Sequence, residues 1–299
     1  MTWQFERLAG PFAFTEGPAW DGEAIVFTDI PGDRILRCLP ATRECRRLHT
    51  NTEGMNGLAL DRQGRICGCQ GSGRRIVRYE PEGGTTVLAD CFKGSRLNSP
   101  NDLAIDSQGR IWFTDPRYGR QRRDMELDHE SVFRLDPQPD GSYSITQASF
   151  DTTRPNGLAF SPDEATLYVA ESPQAPRGRR QLRAYPVYDD GSLGPARVLH
   201  DFGAHRGIDG MAVDTEGNVV AACGWRRPWW RRSGRGPRIA VFASSGALLE
   251  EHPAPGQLPT NVCFGGPDLS DLYLTGYVTG FGGVLWRAKT DRRGIPMPR

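Results

Sequence analysis

The chain has 299 residues, with 37 Lys and Arg against 36 Asp and Glu, a net charge of +1. That balance supplies no global field to gather nucleic acid or an anionic membrane. The opening MTWQFERLAG lacks the basic-then-apolar order of a signal peptide, and no run of about 18 apolar residues spans a bilayer, so a cytoplasmic location is expected.

In chain order, the first expected element is a lone strand over residues 3–8. A phrase then recurs six times: polar residue, small residue, apolar, Ala, apolar, turn. It reads Glu16-Gly-Pro-Ala-Trp-Asp, then Asn56-Gly-Leu-Ala-Leu-Asp, Asn101-Asp-Leu-Ala-Ile-Asp and Asn156-Gly-Leu-Ala-Phe-Ser. Asp209-Gly-Met-Ala-Val-Asp and Asn261-Val-Cys-Phe-Gly-Gly complete the set. The steps between first residues are 40, 45, 55, 53 and 52, near the ~40–50 residues of a propeller blade and too long for most solenoid repeats.

Each phrase leads through a short turn into further β-branched or aromatic runs, such as Ile111-Trp-Phe-Thr-Asp and Ser131-Val-Phe-Arg-Leu. Four such runs per repeat make a four-stranded antiparallel blade. The sixth repeat stops after three, and the spare strand at residues 3–8 supplies the fourth. The expectation is an all-β, six-bladed propeller in one domain over residues 1–299, closed by its N-terminal strand, which also covers both free edges.

The seven Cys form no CxxC pair, and Cys67 and Cys69 are too close for a comfortable disulfide. Free thiols in a reducing cytoplasm are expected, with neither a disulfide framework nor a zinc knuckle.

In a propeller the first strand of each blade lies nearest the axis. Glu16, Asn56, Asn101, Asn156, Asp209 and Asn261 therefore form a ring about a central channel. Any one of them could serve only a local turn; six in one register point to a shared site. Two carboxylates among four amides offer hard oxygen ligands only, which suits calcium or another hard cation and not a tetrahedral zinc. The long segments 116–130, 173–180 and 224–237 return to the same mouth and are expected to form a lid. Within the last, the Trp- and Arg-rich stretch 225–235 reads as a solvated loop or a basic rim, rather than as a single-strand nucleic-acid binder. Asp115 either backs the metal or caps a turn, and His129 and His205 are taken as surface residues.

Four segments resemble the regucalcin/gluconolactonase family of six-bladed, metal-dependent lactonases. They are Thr15-Glu-Gly-Pro, Leu97-Asn-Ser-Pro-Asn-Asp with Phe113-Thr-Asp-Pro-Arg-Tyr-Gly, Arg154-Pro-Asn-Gly-Leu-Ala, and Gly207-Ile-Asp-Gly-Met. The second is most similar to the gluconolactonase branch. The resemblance implies Glu16, Asn156 and Asp209 as ligands of one divalent cation, calcium first, with zinc, manganese or magnesium as alternatives. It implies Asp209 as general base, or as the group that positions the attacking hydroxide, and Asn101 as a catalytic and substrate-binding residue. An Arg that regucalcin-type members carry two residues before that Asn is Ser99 here, so Asn98 and Tyr118 are the further substrate-binding candidates.

The implied activity is opening of a small sugar lactone, with no nucleic acid, membrane or obligatory protein partner. A phosphotriesterase-like hydrolase and a non-enzymatic calcium-binding or docking propeller are the competing readings. No Gly-x-Ser-x-Gly elbow, phosphate loop, dinucleotide fingerprint or His-Glu-x-x-His is present, so none of those chemistries is expected.

Overall fold

The computed structural model describes residues 2–118, 122–173, 178–225 and 236–296. Six four-stranded antiparallel sheets follow one another along the chain. Five are built from consecutive strands, as in Thr15–Trp20, Ile25–Asp29, Arg34–Cys38 and Cys45–Thr50. The sixth combines Leu258–Gly265, Asp271–Val278 and Gly282–Lys289 with Glu6–Phe12 from the other end of the chain. Glu6 faces Arg287 and Phe12 faces Gly283 in that pairing. The ring therefore closes as the repeat count requires, with the closing strand lying a few residues later than residues 3–8.

Apolar side chains of adjoining sheets make the core. Trp3, Ile239, Val262 and Leu274 pack together between the last two blades, and Ile76, Leu97, Phe113 and Phe133 between the second and third. Full burial of side chains of this size is worth about 1.5–3 kcal/mol each. Trp3 is further fixed by stacking on His252 at 3.9 Å, with its backbone N–H donating to His252 Nδ1 at 3.2 Å.

The inner strands carry the feature that positions the site. In five blades the pairing of first and second strands shifts register at the phrase itself, between Glu16 and Ala19, Met55 and Leu58, Pro155 and Leu158, Ile208 and Met211, and Pro259 and Asn261. Such a bulge turns one side chain away from the sheet, here toward the axis. Glycine after the polar residue is a matter of space: a Cβ on Gly210 would fall on the Asn261 amide, and one on Gly57 would stand 2.5 Å from Asp102 Oδ1.

A second repeated device holds the chain as it enters these strands. The acid ending the second strand accepts two backbone amides: Asp29 those of Ala13 and Phe14, Asp115 those of Asn98 and Ser99, Glu171 those of Thr153 and Arg154. Asp115 is thus a cap on the turn.

The expectation that every cysteine is free fails at one pair. Cys38 and Cys45 face each other across the outer hairpin of the first blade, with Cα atoms 4.1 Å apart, and are joined by a disulfide. A lone bridge across one hairpin has no framework spacing to reveal it. Cys67, Cys69 and Cys223 are buried thiols, Cys263 is partly buried and Cys91 is exposed. Among the described residues, no helix is long and apolar enough to cross a membrane.

Candidate active site

Three of the inner strands bring Glu16, Asn156 and Asp209 to the channel, where each is nine-tenths buried or more. Asn156 Nδ2 donates to Asp209 Oδ1 at 2.7 Å. The other Asp209 oxygen is paired with the Arg206 guanidinium. Glu16 accepts the Gly17 amide at 3.0 Å. Burial first, then the charge of Asp209, pushes the Glu16 carboxyl well above its ordinary range, with the Gly17 amide and Arg206 opposing. Two acids forced together out of water are costly without a cation near them. That environment, with an amide oxygen beside it, fits a hard divalent ion. Among the described residues no group of three or more His, Cys, Asp or Glu is gathered as a metal cluster; the set is two carboxylates and an amide.

The rest of the ring divides. Asn261 Nδ2 reaches across the channel to Asp102 Oδ2 at 3.2 Å. Burial pushes Asp102 up to about 7, against its hydrogen bonds from Asn261 and Leu103, and Asp209 adds to the rise. Asn101 is held through its backbone, donating to Thr114 O at 2.9 Å and accepting from Gly57 N at 2.8 Å, which leaves its side-chain amide for other use. Asn56 likewise contributes its carbonyl, which accepts from Thr28 Oγ1.

Above this set lies a cavity of about 440 Å³, walled by Tyr118, Asn156, Ser172, Arg180, Arg206 and Trp225, among others. Tyr118, Arg180 and Trp225 come from the long segments expected to form the lid, whereas Asn156, Ser172 and Arg206 lie outside them. Residues 119–121, 174–177 and 226–235, including most of the Trp- and Arg-rich stretch, lie outside the described residues. Tyr118 stacks under the Arg154 guanidinium at 5.3 Å, and its hydroxyl is buried beside the Asn156 amide, without a well-aligned hydrogen bond. Burial raises the phenol well above its ordinary range, and the Asp209 charge raises it further.

Asn98 stands elsewhere. It is fully buried, with Nδ2 donating to the carbonyls of Asp115 and His129 at 3.1 Å, and it is not part of the cavity wall. His205 is exposed, and His129 Nδ1 lies 2.6 Å from Ser131 Oγ.

The family described as SMP-30/Gluconolactonase/LRE-like region matches residues 14–277. The chain belongs to this family. It is 31% identical over 287 residues to a gluconolactonase of Zymomonas mobilis, covering 87% of this chain and 75% of that one. It is 28% identical over 269 residues to a 6-deoxy-6-sulfogluconolactonase of Pseudomonas putida, covering 89% and 84%. A solved gluconolactonase structure from Xanthomonas campestris superposes with a TM-score of 0.79 at 33% identity, covering 96% of this chain and 89% of that one.

Two residues at this family member's axis went unread in the repeat. Asp102 takes the place that glycine holds in four of the six phrases, and that break in the pattern was the available signal. Arg206 lies outside the phrase, three residues before Asp209, and no spacing singles it out.

Proposed function

We propose that the chain is a metal-dependent hydrolase that opens a small sugar lactone at the axial site. The observation that carries this reading is the buried Glu16–Asn156–Asp209 set, joined through Asn156 and Arg206 to a cavity of about 440 Å³, a volume suited to one small ligand, in a chain whose relatives include named gluconolactonases.

Glu16, Asn156 and Asp209 would hold one divalent cation, calcium before zinc, manganese or magnesium. When bound, such an ion polarises an ester carbonyl and lowers the pKa of water. The remaining work falls to side chains. The Asp209 carboxylate is oriented by Asn156 on one oxygen and Arg206 on the other, a fixed acceptor for the proton of the attacking water. Asn101, its backbone pinned on both sides, offers an amide to the ring substituents of the lactone. Tyr118 brings a hydroxyl to the same space. Pro173, Trp225 and Leu258 add apolar wall that limits the water reaching the ester.

The test is a panel of aldonolactones, an aliphatic lactone and a phosphotriester, each assayed with calcium, zinc, manganese, magnesium or chelator. The expected result is metal-dependent opening of an aldonolactone. Preference for the phosphotriester, or no turnover of any compound, would overturn the reading.

A further inference from the structure

Orienting Asp209 occupies only one nitrogen of the Arg206 guanidinium. Its Nη2 rests on Asp209, one of the proposed cation ligands. A positive charge at that point opposes cation binding by simple Coulomb repulsion. Its Nη1 is buried without any hydrogen-bond partner. A guanidinium is always charged and presents five donors in a planar fork, and buried donors are normally paired. The side chain is still 29% exposed and walls the cavity, so the guanidinium borders the space a substrate would fill, with Nη1 set back from the surface.

The surroundings point the same way. Tyr118, its hydroxyl beside Asn156, belongs to the wall of the same cavity. Arg180 lines it as well, its Nη1 donating to the carbonyl oxygens of Gly178 and Gly203 at 3.3 and 3.2 Å. Ser172 completes that side, its hydroxyl donating to the Ile208 carbonyl just before Asp209. The axial acids lie beneath and the guanidinium groups stand in the wall. An anionic oxygen brought against Arg206 would pair the one Nη nitrogen left without an acceptor, and charge-assisted bonds to Arg are the strong ones.

We infer that the substrate carries an acidic group, a carboxylate, sulfonate or phosphate, away from its ring ester, and that Arg206 is the residue that selects it. The inference rests on the lactonase reading and narrows its substrate to the acid-bearing class. Arg206 is a specificity residue here: the bonds that form and break in the ester remain the task of the axial set.

The experiment measures kcat and KM of the metal-loaded full chain on glucono-δ-lactone and on three acid-bearing lactones. These are the phosphate ester and the sulfonate analogue at the primary carbon, and a glucarolactone. The expected result is that at least one acid-bearing lactone exceeds the neutral one in kcat/KM by about tenfold or more, mostly through KM. The winner among the three names the acid. In Arg206→Gln that ratio falls to near one, and Arg206→Lys retains part of it. Any general loss from disturbing Asp209 affects both lactones and cancels in the ratio.

A wild-type preference for the neutral lactone, or a ratio unchanged in Arg206→Gln, would overturn the inference. Should no lactone be opened, the lactonase reading itself fails, and calorimetry still decides the subsite. At least one of glucose 6-phosphate, 6-deoxy-6-sulfoglucose and glucuronate must then bind more tightly than neutral glucose in the wild type and equally in Arg206→Gln; equal binding of all four in the wild type would sink the subsite.

Discussion

Asp115 and Asp209 are both buried carboxylates near the ends of inner hairpins, yet they are satisfied by different kinds of partner. Both oxygens of Asp115 are taken by backbone amides, those of Asn98 and Ser99, each at 2.7 Å. Asp29 and Glu171 likewise accept two backbone amides in the first and fourth blades, Asp29 on one oxygen with its other on Arg34. Asp209 meets only side chains, Asn156 and Arg206, and stands beside a second acid, Glu16, whose proton it helps retain. An acid that holds backbone is part of the fold, and its loss leaves amide groups unpaired. An acid that meets movable side chains and a like charge is held ready for something that arrives. Burial alone does not separate the two; the partners do.

The largest effect that sharpens this contrast is expected at the axis. Asp209→Asn should lower kcat/KM on the best lactone by about a thousandfold or more, while the melting temperature stays within about 3 °C of wild type. Near-normal activity in that variant would remove Asp209 from the mechanism. The opposite pattern belongs to Asp115→Ala. Two buried amides lose their acceptor, which should cost about 2–4 kcal/mol in a urea unfolding curve. An undiminished stability there would break the comparison from the other side.

Cation binding should distinguish the two regions again. Calcium at about a hundred times its Kd should add about 2.7 kcal/mol to the unfolding free energy of the wild type, and the same to Asp115→Ala. Glu16→Gln should show little of that gain. The measurement is a thermal melt with calcium against one with chelator for all three proteins.

The smallest effect concerns the closure of the ring. His252 must keep Nδ1 unprotonated to accept the Trp3 amide, and Nε2 lies 2.8 Å from Glu250. Burial holds the imidazole below its ordinary 6.5, with Glu250 opposing. As pH falls the unfolded chain takes up the proton first, so this contribution is complete above about 6.5 and is lost as pH drops through the folded value. The melting temperature should therefore fall more steeply from pH 7 to 5 in the wild type than in His252→Gln, by about 1–2 °C. Parallel slopes would show that the contact does not titrate.

The blade count, the strand order and the closing strand were legible because one phrase recurs at blade-length steps and the last repeat lacks a strand. The ring of polar residues was legible for the same reason, since each opens the recurring phrase; the register shift encloses Asn56, Asn156 and Asp209, follows Glu16 and precedes Asn261. What stayed hidden depends on contacts between distant segments. The pairing of Asp102 with Asn261 joins residues 159 positions apart. The Cys38–Cys45 bridge follows from hairpin register, and the role of Asp115 from which amides the preceding loop presents. Asn98 has the composition of a binding residue and the position of a structural one.

The most direct test of the axial site follows the opening rate of the best lactone as calcium is titrated into chelator-treated protein, with bound metal measured on the same samples. The account requires a rate near zero without metal, rising in proportion to occupancy and saturating at one ion per chain. A full rate in the presence of chelator would contradict it.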